Sequence, residues 1–128
     1  MKIEQLGAQL YTLRDHLKTP AQIADTLRRV RKIGYQAVQI AGVGPIETSE
    51  LARILDDTGL ICCGWHTPFN LVQDDTLDAT IELNRTVGNR FVIVPGIPAN
   101  LRESRQDWLK MAGFFNDLAE KLGDHDMM

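Results

Sequence analysis

The chain has 128 residues, a net charge of -3, 44% hydrophobic residues and 24% charged residues. These values are ordinary for one globular domain, and the absence of a basic stripe argues against nucleic acid as a partner. No stretch of the sequence is long and apolar enough to cross a membrane, and the first twenty residues lack the continuous apolar region of a secretory signal. We therefore expect a cytoplasmic protein that binds neither nucleic acid nor a membrane.

The only two cysteines, Cys62 and Cys63, are adjacent in a predicted strand. Neighbouring side chains of a strand point to opposite faces, so a bond between these two would require a distorted backbone. We predict two reduced thiols, as is usual in the cytoplasm. With His66 they lack the paired spacing of a zinc site, and the sequence has no second pair.

Predicted strands and helices alternate along the chain. Residues 3–11 form the first predicted strand and residues 18–34 the first helix, with Thr19 as N-cap and Pro20 at the first helical position. An apolar stripe at helical spacing follows this helix: Ile23, Leu27, Val30 and Ile33. The second strand covers residues 36–42, and the second helix covers residues 48–59.

The second half of the chain continues the alternation. Residues 60–66 form the third strand, residues 74–88 the third helix and residues 90–95 the fourth strand. Four residues of the third helix repeat at helical intervals: Leu77, Ile81, Asn84 and Val87. Ser104 and Asp107 form a capping box for the fourth helix. Its predicted packed face is Trp108, Ala112, Phe115, Ala119 and Leu122.

Glycines separate the helices from the strands that follow them. Three helices each end on a glycine immediately before a strand: Gly34, Gly59 and Gly88. Gly123 has the corresponding place after the fourth helix, but only five residues follow it. Among these, Asp124, His125 and Asp126 are metal-ligand types in a row, without spacings that converge on one ion. We expect this end to be frayed and solvated.

The order of elements predicts a single α/β domain over residues 1–128. Strands two to four are short and nearly continuously apolar, which is typical of parallel strands buried on both faces. Four successive βα units form either a small open sheet or half of an eightfold barrel. A flavodoxin-like open sheet would need a fifth strand and acids at the end of strand one, which the sequence does not show.

Candidate site residues lie at the predicted carboxyl ends of the strands, where α/β folds place their chemistry. Our hypothesis is that His66 binds substrate and moves a proton at this rim. The alternative is that it only hydrogen-bonds a loop carbonyl. Trp65 either walls a sugar pocket or belongs to the core. Gln9, Gln39 and Tyr11 suit sugar hydroxyl groups but equally suit packing against neighbours. The sequence has no phosphate-binding glycine motif and no nucleophile set.

Four segments, taken in order, resemble a known family: "LGAQLYTLRD", "IGYQAVQIAG", "DDTGLICCGWH" and "FVIVPGIP". The set is similar to the xylose-isomerase-like TIM barrels known as sugar phosphate isomerases/epimerases. Family members are barrels of about 250 residues, and this chain matches only the first four βα units. The resemblance therefore implies the first half of a (β/α)8 barrel, interrupted before a fifth strand that would begin just after Gly123.

The resemblance also implies a function. Family members move a proton between carbons of a sugar or polyol, assisted by a divalent metal such as Mn, Mg, Zn or Co. The metal ligands come mainly from the second half, and none can be placed on this sequence. His66 corresponds to a substrate-side histidine, with Trp65 beside it. Gln39 stands where relatives often have a glutamate, "VQI" against "VEF", which leaves no acid at strand two.

Three alternatives remain open from the sequence. The chain is an isomerase/epimerase incomplete by itself, or a non-catalytic half-barrel fragment or assembly module without a metal site. The endonuclease branch of the same fold is disfavoured by the acidic charge balance. A half barrel has two open strand edges and an exposed inner face, so two chains could pair into a homodimer.

Overall fold

The computed structural model describes residues 6–128 of the chain. Residues 3–5 of the predicted first strand lie outside this range. The strands are β1 (Gly7–Gln9), β2 (Ala37–Ile40), β3 (Ile61–His66) and β4 (Val92–Ile93). The helices are α1 (Pro20–Ile33), α2 (Thr48–Thr58), α3 (Leu77–Thr86) and α4 (Arg105–Gly123). Short 3-10 segments follow three of the strands: Leu10–His16, Phe69–Leu71 and Ala99–Leu101.

The four strands form one parallel sheet in the order β1-β2-β3-β4. Neighbours in sequence are therefore neighbours in space. Doubly wound sheets instead reverse their strand order at a switch point, so this order is that of a barrel and excludes the flavodoxin-like alternative. The predicted order of four βα units is confirmed.

The first strand is shorter than predicted. Within the described residues it covers only Gly7–Gln9, and the chain then turns into the 3-10 segment Leu10–His16. Leu10 and Leu17 are fully buried at the two ends of this segment. Their burial outweighs the strand propensity of the intervening residues, and it moves Tyr11 from a strand end to an exposed turn.

Helix ends follow the predicted signals. The Thr19 hydroxyl accepts a hydrogen bond from the Gln22 amide at 3.3 Å, and Ser104 forms its capping box with Asp107. Gly34, Gly59 and Gly88 have φ values of 121°, 65° and 68°, which residues with a side chain rarely adopt. Gly123 does not have a positive φ. The residue with a left-handed conformation after α4 is Asp126, with a φ of 58°.

The main core lies between the sheet and the helices α1 and α2. Ile23, Leu27 and Val30 of α1 are buried in it, as predicted. Ile33 is 72% exposed, and its predicted burial is wrong. Ten residues separate Ile33 from Ile23, so it lies about 80° round the helix axis, at the margin of the stripe.

The packed face of α4 agrees with the predicted one at Phe115 and Leu122 and differs from it at the other positions. Leu118 and Leu122 are buried in a second core, and Phe115 packs beside them. Trp108 is 52% exposed, and the predicted stripe through Ala112 and Ala119 is also exposed. Both registers have helical spacing, but the observed one buries the larger leucine side chain in place of an alanine and removes more apolar surface from water.

Only one side of the sheet is covered by helices. Ala8, Val38 and Cys62 point into the main core, and Val92 points into the second. On the opposite side, Ile61 is 64% exposed. All the helices that contribute side chains to the two cores lie on the same side of the sheet. The prediction that the strands are buried on both faces is therefore wrong. We call the uncovered side the concave face.

The segment after α4 is ordered, contrary to the expected frayed end. The guanidinium of Arg85 donates to Nδ1 of His125 at 2.9 Å, and Nε of Arg90 donates to the carbonyl of Asp126 at 2.9 Å. Met127 is only 4% exposed and belongs to the second core. These contacts outweigh the chain entropy that favours fraying.

The last residue pairs with the outer edge of β4. The Met128 amide donates to the Arg90 carbonyl at 2.8 Å, and the Val92 amide donates to the Met128 carbonyl at 2.7 Å. This pattern, in which one residue bonds to both neighbours of Phe91, is that of a parallel ladder. Within residues 6–128, no helix is long and apolar enough to cross a membrane.

Candidate functional site at the strand ends

Three predicted site residues share the concave face near the carboxyl ends of the strands. Gln9 of β1 is in register with Gln39 of β2, and Gln39 is in register with Gly64 of β3. His66 lies two residues after Gly64 and so points to the same side, one step nearer the rim. We call Gln9, Gln39 and His66 the rim site.

The two glutamines form a direct hydrogen bond. Nε2 of Gln9 donates to Oε1 of Gln39 at 2.9 Å, and the pair is exposed to solvent. This bond fixes both amide groups side by side. In residues 6–128 it leaves Oε1 of Gln9 as an acceptor and Nε2 of Gln39 as a donor, which together match the donor and acceptor functions of hydroxyl groups.

A β-bulge at Cys63 decides which way His66 points. Val38 pairs with Cys62 and Gln39 pairs with Gly64, so Cys63 has no partner in β2. Without the extra residue, alternation from the buried Cys62 would place His66 on the helix side. The bulge reverses the parity and brings His66 to the concave face. Sequence reasoning missed this feature, although a glycine inside an apolar strand is a signal for a bulge.

Gly64 also allows close packing on the concave face. A Cβ atom added there would lie 2.8 Å from Cδ1 of Ile93 and 3.6 Å from Cγ of Gln39. The isoleucine of β4 therefore reaches across the glycine towards the glutamine of β2. This contact gives the rim site an apolar floor on one side.

Tyr11 lies on the 3-10 segment after β1 and packs against the loop that follows β2. Gly42, with a φ of 65°, packs so closely that an added Cβ would be 2.8 Å from Cδ2 of Tyr11. The guanidinium of Arg14 covers the ring at 4.6 Å from its centroid. The ring is therefore fixed between a glycine and a cation while it remains 51% exposed.

Trp65 points away from the rim site. It packs against the main core on the helix side of the sheet. Together with His66 and the loop 41–46 it also lines a cavity of about 270 Å³ between the ends of β2 and β3. The role of Trp65 in substrate binding remains a prediction. Its side chain could contact a substrate in this cavity but not on the concave face.

The described residues do not supply a metal centre. In residues 6–128, no three His, Cys, Asp or Glu side chains lie close enough together to hold an ion. His66 is the one metal-ligand type on the rim site, and its neighbours Gln9 and Gln39 are neutral amides. The divalent metal that the resemblance implies does not fit this set of residues.

The two cysteines are free and differ in environment. Cys62 is buried, and burial raises the pKa of its thiol to about 11. Cys63 is exposed on the concave face, where its Sγ lies 2.7 Å from the position of a Cβ on Gly7. Partial burial also raises the pKa of Cys63. Both thiols are protonated at neutral pH and neither is an activated nucleophile.

We expect iodoacetamide at pH 8 to add one carbamidomethyl group to the native protein and two to the unfolded protein. Cys63 is accessible, whereas Cys62 reacts only when the core opens. Intact-protein mass spectrometry measures the count, with Cys63→Ala as the control that should give no native adduct. Rapid native labelling of Cys63→Ala would show that Cys62 is not buried.

The protonated Cys62 thiol contributes to stability below pH 9, and this contribution is lost as the pH rises towards 11.

Four parallel βα units with helices on one side define half of a TIM barrel. No model of a known protein family matches the chain, and no curated protein matches it significantly in sequence. The fold is similar to the crystal structure of a sugar phosphate isomerase/epimerase from Parabacteroides distasonis ATCC 8503, with a TM-score of 0.75 and 19% identity. The match covers 100% of this chain and 50% of that structure, so the chain spans half the length of this relative.

Proposed function

We propose that this chain provides half of a sugar phosphate isomerase/epimerase, and that it acts on a sugar or polyol once the barrel is closed. The observation that carries the proposal is the fold match to such a protein over the whole chain. The position of Gln9, Gln39 and His66 on one side of the strand ends supports it, because barrel enzymes bind their substrates there.

Each residue has a distinct role in this proposal. The amides of Gln9 and Gln39 bind neighbouring hydroxyl groups and hold the carbon chain in one orientation. His66 takes a proton from a carbon or hydroxyl group and returns it to the adjacent position. Tyr11 provides apolar surface for the ring carbons, and Trp65 contacts only a substrate group that enters the cavity beside the loop 41–46.

The described residues do not provide the divalent metal ligands that the family resemblance implies. We therefore assign no step to a metal in this chain. In the proposal, this chain contributes the substrate-binding side of the site.

In a closed barrel, we expect His66→Ala to lower turnover by about 10²–10⁴-fold without unfolding the protein, because a positioned acid/base group contributes that much. The assay is loss of the carbon-bound hydrogen from a panel of pentose and hexose phosphates in D2O, followed by proton NMR. The matched control is His16→Ala, since His16 is an exposed residue of the 3-10 segment.

Three outcomes separate the interpretations. Loss of exchange in His66→Ala but not in His16→Ala, with equal melting temperatures, supports the catalytic role. Unchanged exchange in His66→Ala contradicts the catalytic role of His66. No exchange in any protein, together with no shift of the Gln9 and Gln39 side-chain amide signals on adding the sugar phosphates, favours the second candidate.

The second candidate function is a non-catalytic assembly module. The absence of a metal-binding cluster from residues 6–128 and the uncovered concave face favour it. Such a module would use the concave face for association alone, and the rim glutamines would then bind neighbouring protein groups instead of a sugar.

A further inference from the structure

The concave face is apolar and exposed. Ile61 and Phe91 are 64% and 46% exposed, and strand alternation places both on this side. The other residues that alternation places there are uncharged apart from His66: Gly7, Gln9, Ala37, Gln39, Cys63, Gly64 and Ile93. An apolar surface without charged side chains loses little on leaving water, so this face is suited to burial against another polypeptide.

Both edges of the sheet are open to pairing. In the described part of the chain, β1 has a strand neighbour only in β2, and β4 has one only in β3. Met128 shows that the outer edge of β4 accepts a parallel partner, because it already makes one ladder pair there. That pair uses the Val92 amide and leaves the rest of the β4 edge towards the rim unused.

We propose that the concave face and these two edges bind a second copy of this chain, and that the two copies close one barrel. β1 of each copy would lie against β4 of the other, in the same parallel direction as the existing strands. Four strands from each copy give eight, the number that closes a TIM barrel. Closure buries the apolar side chains and removes both edges.

The choice of a second copy follows from the reciprocity of the two edges. A twofold axis brings β1 to β4 at two places at once, so no edge is left for a third chain. Met128 occupies the amino end of the β4 edge, and the arriving β1 takes its place. The two rim sites then face one mouth, so the closed site is complete only with both copies, a consequence that rests on the proposed function.

Native mass spectrometry and sedimentation velocity test the proposal on the purified protein at micromolar concentrations. We expect two chains of 14.4 kDa each. Ile61→Lys places a charge on the concave face and should give the monomer, with an unchanged circular dichroism spectrum because the side chain is exposed. Ile33→Lys is the matched control, since Ile33 is 72% exposed on α1, outside the concave face, and this variant should remain a dimer.

A second variant tests the edge. Deletion of Met128 removes the competing ladder pair but keeps the buried Met127, and we expect it to lower the dimer dissociation constant several-fold. Weaker association after the deletion overturns the edge assignment. A monodisperse wild-type monomer overturns the proposal and leaves the concave face to a different polypeptide. A polydisperse series overturns it as well, because a closed dimer stops at two chains. These mass measurements do not depend on catalysis. A monomer would therefore contradict the proposed dimer without testing the proposed function.

Discussion

Asn89→Ala should destabilise the protein by about 2–4 kcal/mol, a large share of the stability of a domain of this size. Asn89 is 1% exposed and lies between α3 and β4. Its Nδ2 donates to Oδ1 of Asn84 at 2.6 Å and to the carbonyl of Phe91 at 2.8 Å. Its Oδ1 accepts from the Phe91 amide at 3.2 Å.

The cost arises because the alanine leaves buried partners without hydrogen bonds. Asn84 is fully buried, and its Nδ2 already donates to the Thr80 carbonyl at 2.8 Å, so its Oδ1 depends on Asn89. A buried oxygen without a partner costs about 1–3 kcal/mol, and the lost bonds to Phe91 add to this. The network also sets the start of β4, so its loss should loosen the β3–β4 pairing.

Urea unfolding followed by circular dichroism measures the effect. Asn116→Ala, on the exposed side of α4, is the control and should change the free energy of unfolding by less than about 0.5 kcal/mol. The double variant Asn84→Leu with Asn89→Leu should lose less than the sum of the two single variants, because it removes both partners together. Equal effects at positions 89 and 116 would show that the network does not stabilise the fold.

The sequence predicted the alternation of elements because the signals are local. The glycine conformations at Gly34, Gly59 and Gly88 and the cap at Thr19 depend on a few neighbouring residues. Asn84 was also predicted to share helical spacing with the apolar residues of α3, and it is buried with them. Its bond to Asn89 was not predicted, because it depends on the turn between α3 and β4 and on burial from several elements.

The faces of the elements were harder to predict, because they depend on non-local packing. In α4, Leu118 and Ala119 both belong to apolar stripes of helical spacing, and only contact with the second core selects Leu118. The apolar strands predicted burial on both faces, whereas the resemblance to half of a barrel implied an exposed inner face, and the exposure of Ile61 agrees with the second. Apolarity indicates that a face can be covered, but it does not show whether this chain covers it.

The rim site was predicted in part. Gln9, Gln39 and His66 were singled out because carboxyl ends of parallel strands share one edge, and the structure places these residues on one face. Trp65 could not be assigned in the same way. Strand alternation assigns faces only when the register is regular, and the bulge at Cys63 exchanges the faces of Trp65 and His66.

Met127→Ala should lower the free energy of unfolding by about 2 kcal/mol, at the low end for a buried methionine because the segment lies at a chain end. The side chain is 4% exposed and packs with the second core beside Leu118 and Leu122. Met128→Ala is the matched control. Its side chain is 62% exposed and its two ladder bonds use the backbone, so little stability should be lost.

The comparison decides whether the segment after α4 belongs to the fold. A docked Met127 holds the chain so that Met128 meets the edge of β4, and the Arg90 bonds to Asp126 and Met128 support the same path. If both methionine variants unfold at the wild-type urea concentration, Met127 is not packed in the second core and the segment is frayed. If only Met127→Ala is weakened, the second core fixes the position of Met128 on the edge of β4. An arriving partner strand must then displace Met128 from the outer edge of β4 before it can pair there.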